Sequence, residues 1–196
     1  MKEVEIKVRN INKSEIIKKI EKLGGKKIFT GRVIDYRFDT PNRDLSRQGK
    51  ALRIRQKGRY FYLNLKGKKK SVQNIIGREE LSVKLNNFKI MYKILNELGY
   101  IKIFELNKYR TEYRFNSITF DIDEYLGMAP ILEIESNSYD KVEDYMKQLD
   151  IQEKNTGRVY IREILAAKKR YDKKKALKDE LSDTVDEILN ETYTKE

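Results

Sequence analysis

Six short segments of the chain alternate charged and apolar residues: Glu3-Val4-Glu5-Ile6-Lys7, Leu52-Arg53-Ile54-Arg55, Leu63-Asn64-Leu65-Lys66, Lys108-Tyr109-Arg110, Asp121-Ile122-Asp123 and Glu133-Ile134-Glu135. Residues two apart lie on the same face of a strand, so each segment read as a strand puts its charges on one side and its apolar groups on the other. Taken singly, such a segment ordinarily turns its charges to water and its aliphatics to a core. Six of them pairing acids with bases raise a second arrangement, a barrel with a charged inner wall.

The remaining pattern supplies short strands and few helices. Strands are expected at 2–9, 26–39 (bulged at Gly31), 50–57, 60–66, 75–85, 100–115, 117–124 and 131–136, with turn chemistry at Pro41-Asn42-Arg43-Asp44, at Lys57-Gly58-Arg59 and at Asn116-Ser117. Lys68-Lys69-Lys70-Ser71 reads as a basic loop. Helices are expected at 13–23, opened by Asn12-Lys13-Ser14 and closed by Gly24-Gly25, at 87–98, closed by Gly99, and at 139–149. The first carries Ile16, Ile17, Ile20 and Leu23 at helical spacing, and the second carries Phe88, Met91, Tyr92, Leu95 and Leu98. From Arg158 onward helix is expected, broken near 171–175, with basic residues over 168–178 and acidic ones over 179–196. Leu177, Leu181, Val185, Ile188 and Leu189 form a narrow apolar stripe there, fit either to pack on the barrel or to make a homodimer contact.

The amphipathic helices decide between the two arrangements. If every charged strand face met bulk water, the aliphatic faces would fill the barrel and the helices would have no apolar sheet to cover. Turning the aliphatics outward, under the helices, uses every apolar face and directs the charges into a wet tunnel. The residues sharing that inner parity are Glu3, Glu5, Lys7, Arg53, Arg55, Lys66, Arg78, Glu80, Ser82, Lys84, Lys108, Arg110, Glu112, Arg114, Asp121, Asp123, Glu133 and Glu135. Enclosed charges are costly unless paired or bound to a ligand. Carboxylates suit hard divalent cations, and Arg and Lys suit phosphoryl oxygens, so the set matches a polyphosphate held with metal ions. The expected fold class is α+β, a closed antiparallel barrel with covering helices and a C-terminal helical extension.

Composition narrows the chemistry. The chain has 196 residues and a net charge of +12, which draws anions. It has no Cys and no His, which excludes disulfides, thiol catalysis, zinc-thiolate sites and the usual general base. Any metal must then sit among carboxylates, which favours Mg2+, Mn2+ or Ca2+. The net charge and the Lys68–Lys70 run also suit a nucleic-acid binder, but most tyrosines share the parity of the aliphatics rather than of the basic residues, which disfavours that partner. No apolar run approaches the ~20 residues of a membrane span, and the start lacks a signal-peptide pattern, so a cytoplasmic location without membrane attachment is expected.

Glu3-Val4-Glu5-Ile6-Lys7 resembles the ExExK signature of the CYTH superfamily, the triphosphate tunnel metalloenzymes. The resemblance continues through Asp35-Tyr36-Arg37-Phe38-Asp39-Thr40-Pro41, Ala51-Leu52-Arg53-Ile54-Arg55, Leu65-Lys66-Gly67, Arg78-Glu79-Glu80, Lys108-Tyr109-Arg110, Asp121-Ile122-Asp123 with Leu126-Gly127, and Leu132-Glu133-Ile134-Glu135. Gly157-Arg158-Val159-Tyr160 with Ile164-Leu165 is similar to the closing segment of the class IV adenylyl cyclase-like branch. The resemblance runs along 1–165 and implies an eight-stranded antiparallel barrel there and a requirement for Mg2+ or Mn2+; the charged helical tail over 166–196 lies outside it. It implies metal-binding acids at Glu3, Glu5, Glu133 and Glu135. It implies triphosphate ligands at Lys7, Arg53, Arg55, Lys66, Arg78, Lys108 and Arg110, and catalytic roles within the tunnel for Lys7, Glu80, Asp121 and Asp123. The chain departs from the family at Ser82, where a second acid is frequent, at Asn64, where Thr is frequent, and in lacking the histidines that some cyclases carry near 35–40. The expected function is conversion of ATP to cyclic AMP and pyrophosphate. The alternative is hydrolysis of inorganic tripolyphosphate, thiamine triphosphate or a nucleoside triphosphate.

Overall fold

The computed structural model describes residues 2–72 and 74–176. Its strands are β1 (Lys2–Val8), β2 (Lys26–Asp39), β3 (Ala51–Lys57), β4 (Tyr60–Lys66), β5 (Lys70–Val72), β6 (Ile75–Leu85), β7 (Ile101–Phe115), β8 (Ile118–Glu124) and β9 (Ile131–Ser136). They hydrogen-bond in the order β1-β9-β8-β7-β2-β3-β4-β6-β5, and an additional β1–β6 pairing joins the two sides. That pairing closes an eight-stranded antiparallel barrel and leaves β5 as a short extra strand beside β6. Closure removes the exposed edges an open sheet would carry.

Local chemistry sets where the elements begin and end. Helix α1 (Lys13–Lys22) starts at Asn12, whose side chain accepts hydrogen bonds from the backbone N–H groups of Ser14 and Glu15. It stops at Gly24, which takes the left-handed conformation (φ +93°). Helix α3 (Phe88–Glu97) is capped in the same way by Asn87, which accepts from the Ile90 N–H. Asp39, in the Asp-Thr-Pro segment, is an internal cap: its carboxylate accepts from the N–H groups of Thr40, Leu45 and Ser46 and from the Ser46 hydroxyl, fixing the short helix α2 (Asp44–Arg47).

The aliphatic faces of the strands lie outside the barrel, under helices. One cluster joins Val4, Ile6, Phe120, Ile122, Leu132 and Ile134 to Ile16 and Ile20 of α1 and to Val142 and Met146 of α4 (Tyr139–Gln148). A second joins Phe38, Leu52 and Ile54 to Leu95 of α3, with Phe88, Met91 and Tyr92 packed around it. Burial of these side chains at roughly 1.5–3 kcal/mol each is the driving force that holds the charged wall inward.

Several expectations need correction. Gly31 pairs regularly with Arg110; the irregularities of β2 fall between Lys27 and Phe29 and between Arg37 and Phe38. The lysine-rich segment is not all loop, because Lys70–Val72 pairs with Ile75–Gly77. Helix α5 runs over 161–176 without the break expected near 171–175. Ser82, Lys84 and Arg114 share the inner parity yet are exposed; they stand in the C-terminal parts of β6 and β7. The chain divides into two units, residues up to 124 with 129–158, and 125–128 with the segment from 159 onward. Within the second unit, Gly127 lies against Ala167 and Tyr171 of α5. The apolar stripe from Leu177 to Leu189, and with it the homodimer expectation, lies outside the described residues. Among the described residues no helix is long and apolar enough to cross a membrane.

Candidate active site

Register brings the charged parities of the barrel strands into one lumen. Glu5 stands opposite Glu135 and Lys7 opposite Glu133 in the β1/β9 ladder. Asp121 stands opposite Glu133, Asp123 opposite Arg110, and Lys66 opposite Glu80. Glu3, Glu5, Arg53, Lys66, Lys108, Arg110, Asp121 and Asp123 are buried, Asp123 completely. Lys7, Arg55, Arg78, Glu80, Glu133 and Glu135 are partly buried. Every site residue expected from the sequence therefore lines this lumen.

The side chains neutralise one another in three groups. Near β7, β8 and β9, Arg110 Nε and Nη2 donate to Asp123 at 2.6 and 2.6 Å, and Nη2 also donates to Glu133 at 2.9 Å. Arg110 pairs as well with Asp121, Lys108 with Asp123 at 2.5 Å, and Lys7 with Glu133. Near β1, β4 and β6, Lys66 bridges Glu3 and Glu80, while Arg78 donates to Glu3 and Glu5 at 3.0 Å each. On β2 and β3, Asp35 is clasped by Arg55 (2.7 and 2.9 Å) and by Arg53 (3.3 Å).

These neighbours set the protonation states. Burial disfavours the Lys7 ammonium, but Glu133 and Glu5 outweigh it and hold its pKa above the ordinary lysine value. Lys7 is therefore held as a cation between these two carboxylates. Burial likewise opposes the Glu133 and Asp35 carboxylates, and their basic neighbours overcome it, keeping both well below the usual range. Burial and the like charges of Arg110 and Arg55 lower Lys108; burial and Arg53 lower Lys66.

Two acids behave oppositely. Burial, then the carboxylates of Glu3, Asp121 and Glu5, push Glu135 up to about 7. Burial, with Asp123, Glu133 and Glu112, pushes Asp121 up to about 6 despite its pairing with Arg110, and Asp121 Oδ1 is buried with no hydrogen-bond partner among the described residues. Glu135 is thus the lumen acid whose nearest influences are chiefly other carboxylates, those of Glu3, Asp121 and Glu5. The donor set there is carboxylate oxygen only, which fits a hard divalent cation. The four acids expected to bind metal are not gathered into a ready cage, however. Glu3, Glu5 and Glu133 are each turned onto a base, and among the described residues no group of three or more acids is placed to hold an ion.

Sequence reasoning passed over two lumen residues. Asp35 orients both Arg53 and Arg55, and Arg37 stands opposite Arg53 in the β2/β3 ladder. The signal was present: Asp35-Tyr36-Arg37-Phe38-Asp39 repeats the same charged and apolar alternation as the six segments.

A closed barrel with paired acids and bases along its lumen defines a triphosphate-tunnel architecture. The sequence profile of the CYTH domain matches residues 1–160, and the chain belongs to that family. It is 33% identical over 155 residues to a Methanocaldococcus jannaschii protein provisionally named an adenylate cyclase, covering 76% of this chain and 87% of that one. Among solved structures, a Vibrio parahaemolyticus protein provisionally named an adenylate cyclase matches with a TM-score of 0.73 at 19% identity, over 84% of this chain and 97% of that one. The PH1012 protein of Pyrococcus horikoshii matches with a TM-score of 0.69 at 24% identity, over 82% and 98%. A Hippeastrum protein matches with a TM-score of 0.55 at 21% identity, over 76% and 88%, and is described as a provisional adenylyl cyclase with dominant triphosphatase activity. At these identities the solved structures speak to the fold.

Proposed function

We propose that this protein is a divalent-metal-dependent enzyme that takes a triphosphate into the barrel lumen and, in its primary reaction, converts ATP to cyclic AMP and pyrophosphate. The observation that carries the reading is the lumen itself: Lys7, Arg53, Arg55, Lys66, Arg78, Lys108 and Arg110 converge on one enclosed space, four of them buried and Lys7, Arg55 and Arg78 partly so. Phosphoryl transfer asks for alignment and charge stabilisation more than for covalent chemistry. The arginines offer paired N–H donors to phosphoryl oxygens, and the lysines act as point charges. A polyphosphate entering the lumen would take over bases now held by Glu3, Glu5, Glu80 and Glu133.

The freed acids and Glu135 would hold Mg2+ or Mn2+, whose role is to neutralise phosphoryl oxygens and acidify the attacking hydroxyl or water. The chain's own contribution to proton transfer is narrowed by its pKa pattern. Asp121, raised to about 6 and with Oδ1 lacking a hydrogen-bond partner among the described residues, is the lumen carboxylate matched to accept a proton. The relative at 33% identity supports the cyclase reaction by its name.

A second reading is triphosphate hydrolysis. The lumen contacts described here grip phosphoryl oxygens, and none of them selects a base or a sugar, which suits tripolyphosphate or thiamine triphosphate equally well. Incubation of the full chain with ATP, tripolyphosphate and thiamine triphosphate, each with Mn2+ or Mg2+, separates the cases when cyclic AMP and released phosphate are both measured. Cyclic AMP with pyrophosphate supports the primary reading, and phosphate without cyclic nucleotide supports the second. Full survival of all three substrates contradicts both.

A further inference from the structure

Arg37 is a lumen cation whose binding capacity the pairing scheme leaves unused. It lies on β2 two residues from Asp35, on the same face, and Asp35 is fixed inside the barrel by Arg53 and Arg55. Its Nε is buried and has no hydrogen-bond partner among the described residues, whereas each other lumen cation named above touches at least one carboxylate. Its surroundings are positive: Arg53, Arg55 and Arg78 all bear on it, and Asp35 is the acid acting against them. Burial and Arg53 push its pKa down to about 10, which leaves it charged at neutral pH. Packing alone does not explain an enclosed guanidinium with an idle donor, since an apolar side chain of similar volume would fill the space without that penalty.

We propose that Arg37 is a further anion ligand, its free Nε–H completing with Arg53 and Arg78 a subsite for one phosphoryl group at their end of the lumen. This deepens the reading of the lumen as a triphosphate site and rests on it. A polyphosphate oxygen is the acceptor that such a donor lacks, and its negative charge offsets the crowding of the three guanidinium groups. The subsite favours a chain long enough to reach it, so a triphosphate gains more from Arg37 than a diphosphate does.

The test uses the full chain and calorimetric titration with magnesium tripolyphosphate and magnesium pyrophosphate, alongside ligand-free melting temperatures. Arg37→Gln is expected to weaken tripolyphosphate binding at least tenfold and pyrophosphate binding less, with the ligand-free melting temperature unchanged or raised. Arg59→Gln, an exposed change at the β3–β4 turn, is expected to bind as wild type. Tripolyphosphate affinity within twofold of wild type in Arg37→Gln overturns the subsite and leaves the tunnel reading standing. A loss of affinity matched by a fall in ligand-free melting temperature marks a structural role and also overturns it. Wild-type protein that takes up no tripolyphosphate overturns the tunnel reading and the subsite with it. If Arg37→Gln does not fold, Arg37→Lys, which lacks the Nε donor, carries the test: weakened binding supports the subsite and unchanged binding overturns it.

Discussion

Glu135→Gln should stabilise the metal-free protein above neutral pH. In the folded chain this carboxyl is held at about 7, against 4.5 for an ordinary glutamate. A raised acid pKa means the folded state binds the proton more tightly than the unfolded chain does. Its contribution is therefore present at low pH and is lost as pH rises through the window from 4.5 to about 7. At about 1.36 kcal/mol per pKa unit, the shift corresponds to roughly 3 kcal/mol. Glutamine does not titrate, so the difference in unfolding free energy reports Glu135 together with the acids coupled to it. Urea unfolding in EDTA at pH 4.5 and at pH 8 should show the variant gaining roughly 2–3 kcal/mol on wild type between the two conditions. Saturating Mn2+ should erase much of the gain at pH 8 by stabilising wild type alone. A difference that stays constant with pH would refute the account of Glu135, and a gain indifferent to Mn2+ would refute its cation-binding role.

Glu133→Gln should reduce turnover by about a hundredfold or more, because it loosens Lys7 and Arg110 together, with circular dichroism unchanged. Arg55→Ala should raise KM for the triphosphate about tenfold or more by removing a bidentate donor, and steady-state kinetics checks this. Asp35→Asn should lower kcat/KM by releasing Arg53 and Arg55 from their fixed orientation. Asp35 is held below its ordinary pKa, so wild type's stability advantage over Asp35→Asn should be full at neutral pH. That advantage should vanish as pH falls below the carboxylate range in acid unfolding.

The alternation of Glu3 to Lys7 and its five counterparts was enough to place charge inside and aliphatics under helices, because period two and the need to cover α1 and α3 admit few other solutions. The start of α1 at Asn12 was legible for a local reason too, its side chain being suited to accept from the first turn's N–H groups. What the sequence concealed is tertiary. Lys70–Val72 has poor strand propensity and is drawn into the sheet by pairing with Ile75–Gly77. The stagger of β2 against β7 shifts at Lys27/Phe29 and Arg37/Phe38 rather than at the glycine that invited it. Partner choice in the lumen was equally hidden. Glu135 and Glu133 are alike in sequence, yet Glu133 meets Lys7 and Arg110 while Glu135 faces other acids, and their pKa values move in opposite directions. Asp39 looked like part of a chemical motif, and its hydrogen bonds tie it to the turn at 40–46.

Crystals of the full chain soaked with Mn2+ and tripolyphosphate, with data collected at the manganese absorption edge, put the enclosed charged lumen to the most direct trial. The account predicts an anomalous peak inside the barrel against Glu135 and its acidic neighbours, with polyphosphate density reaching Arg55 and Arg37. Manganese and polyphosphate found solely on the outer surface, with the lumen ion pairs intact, would contradict it.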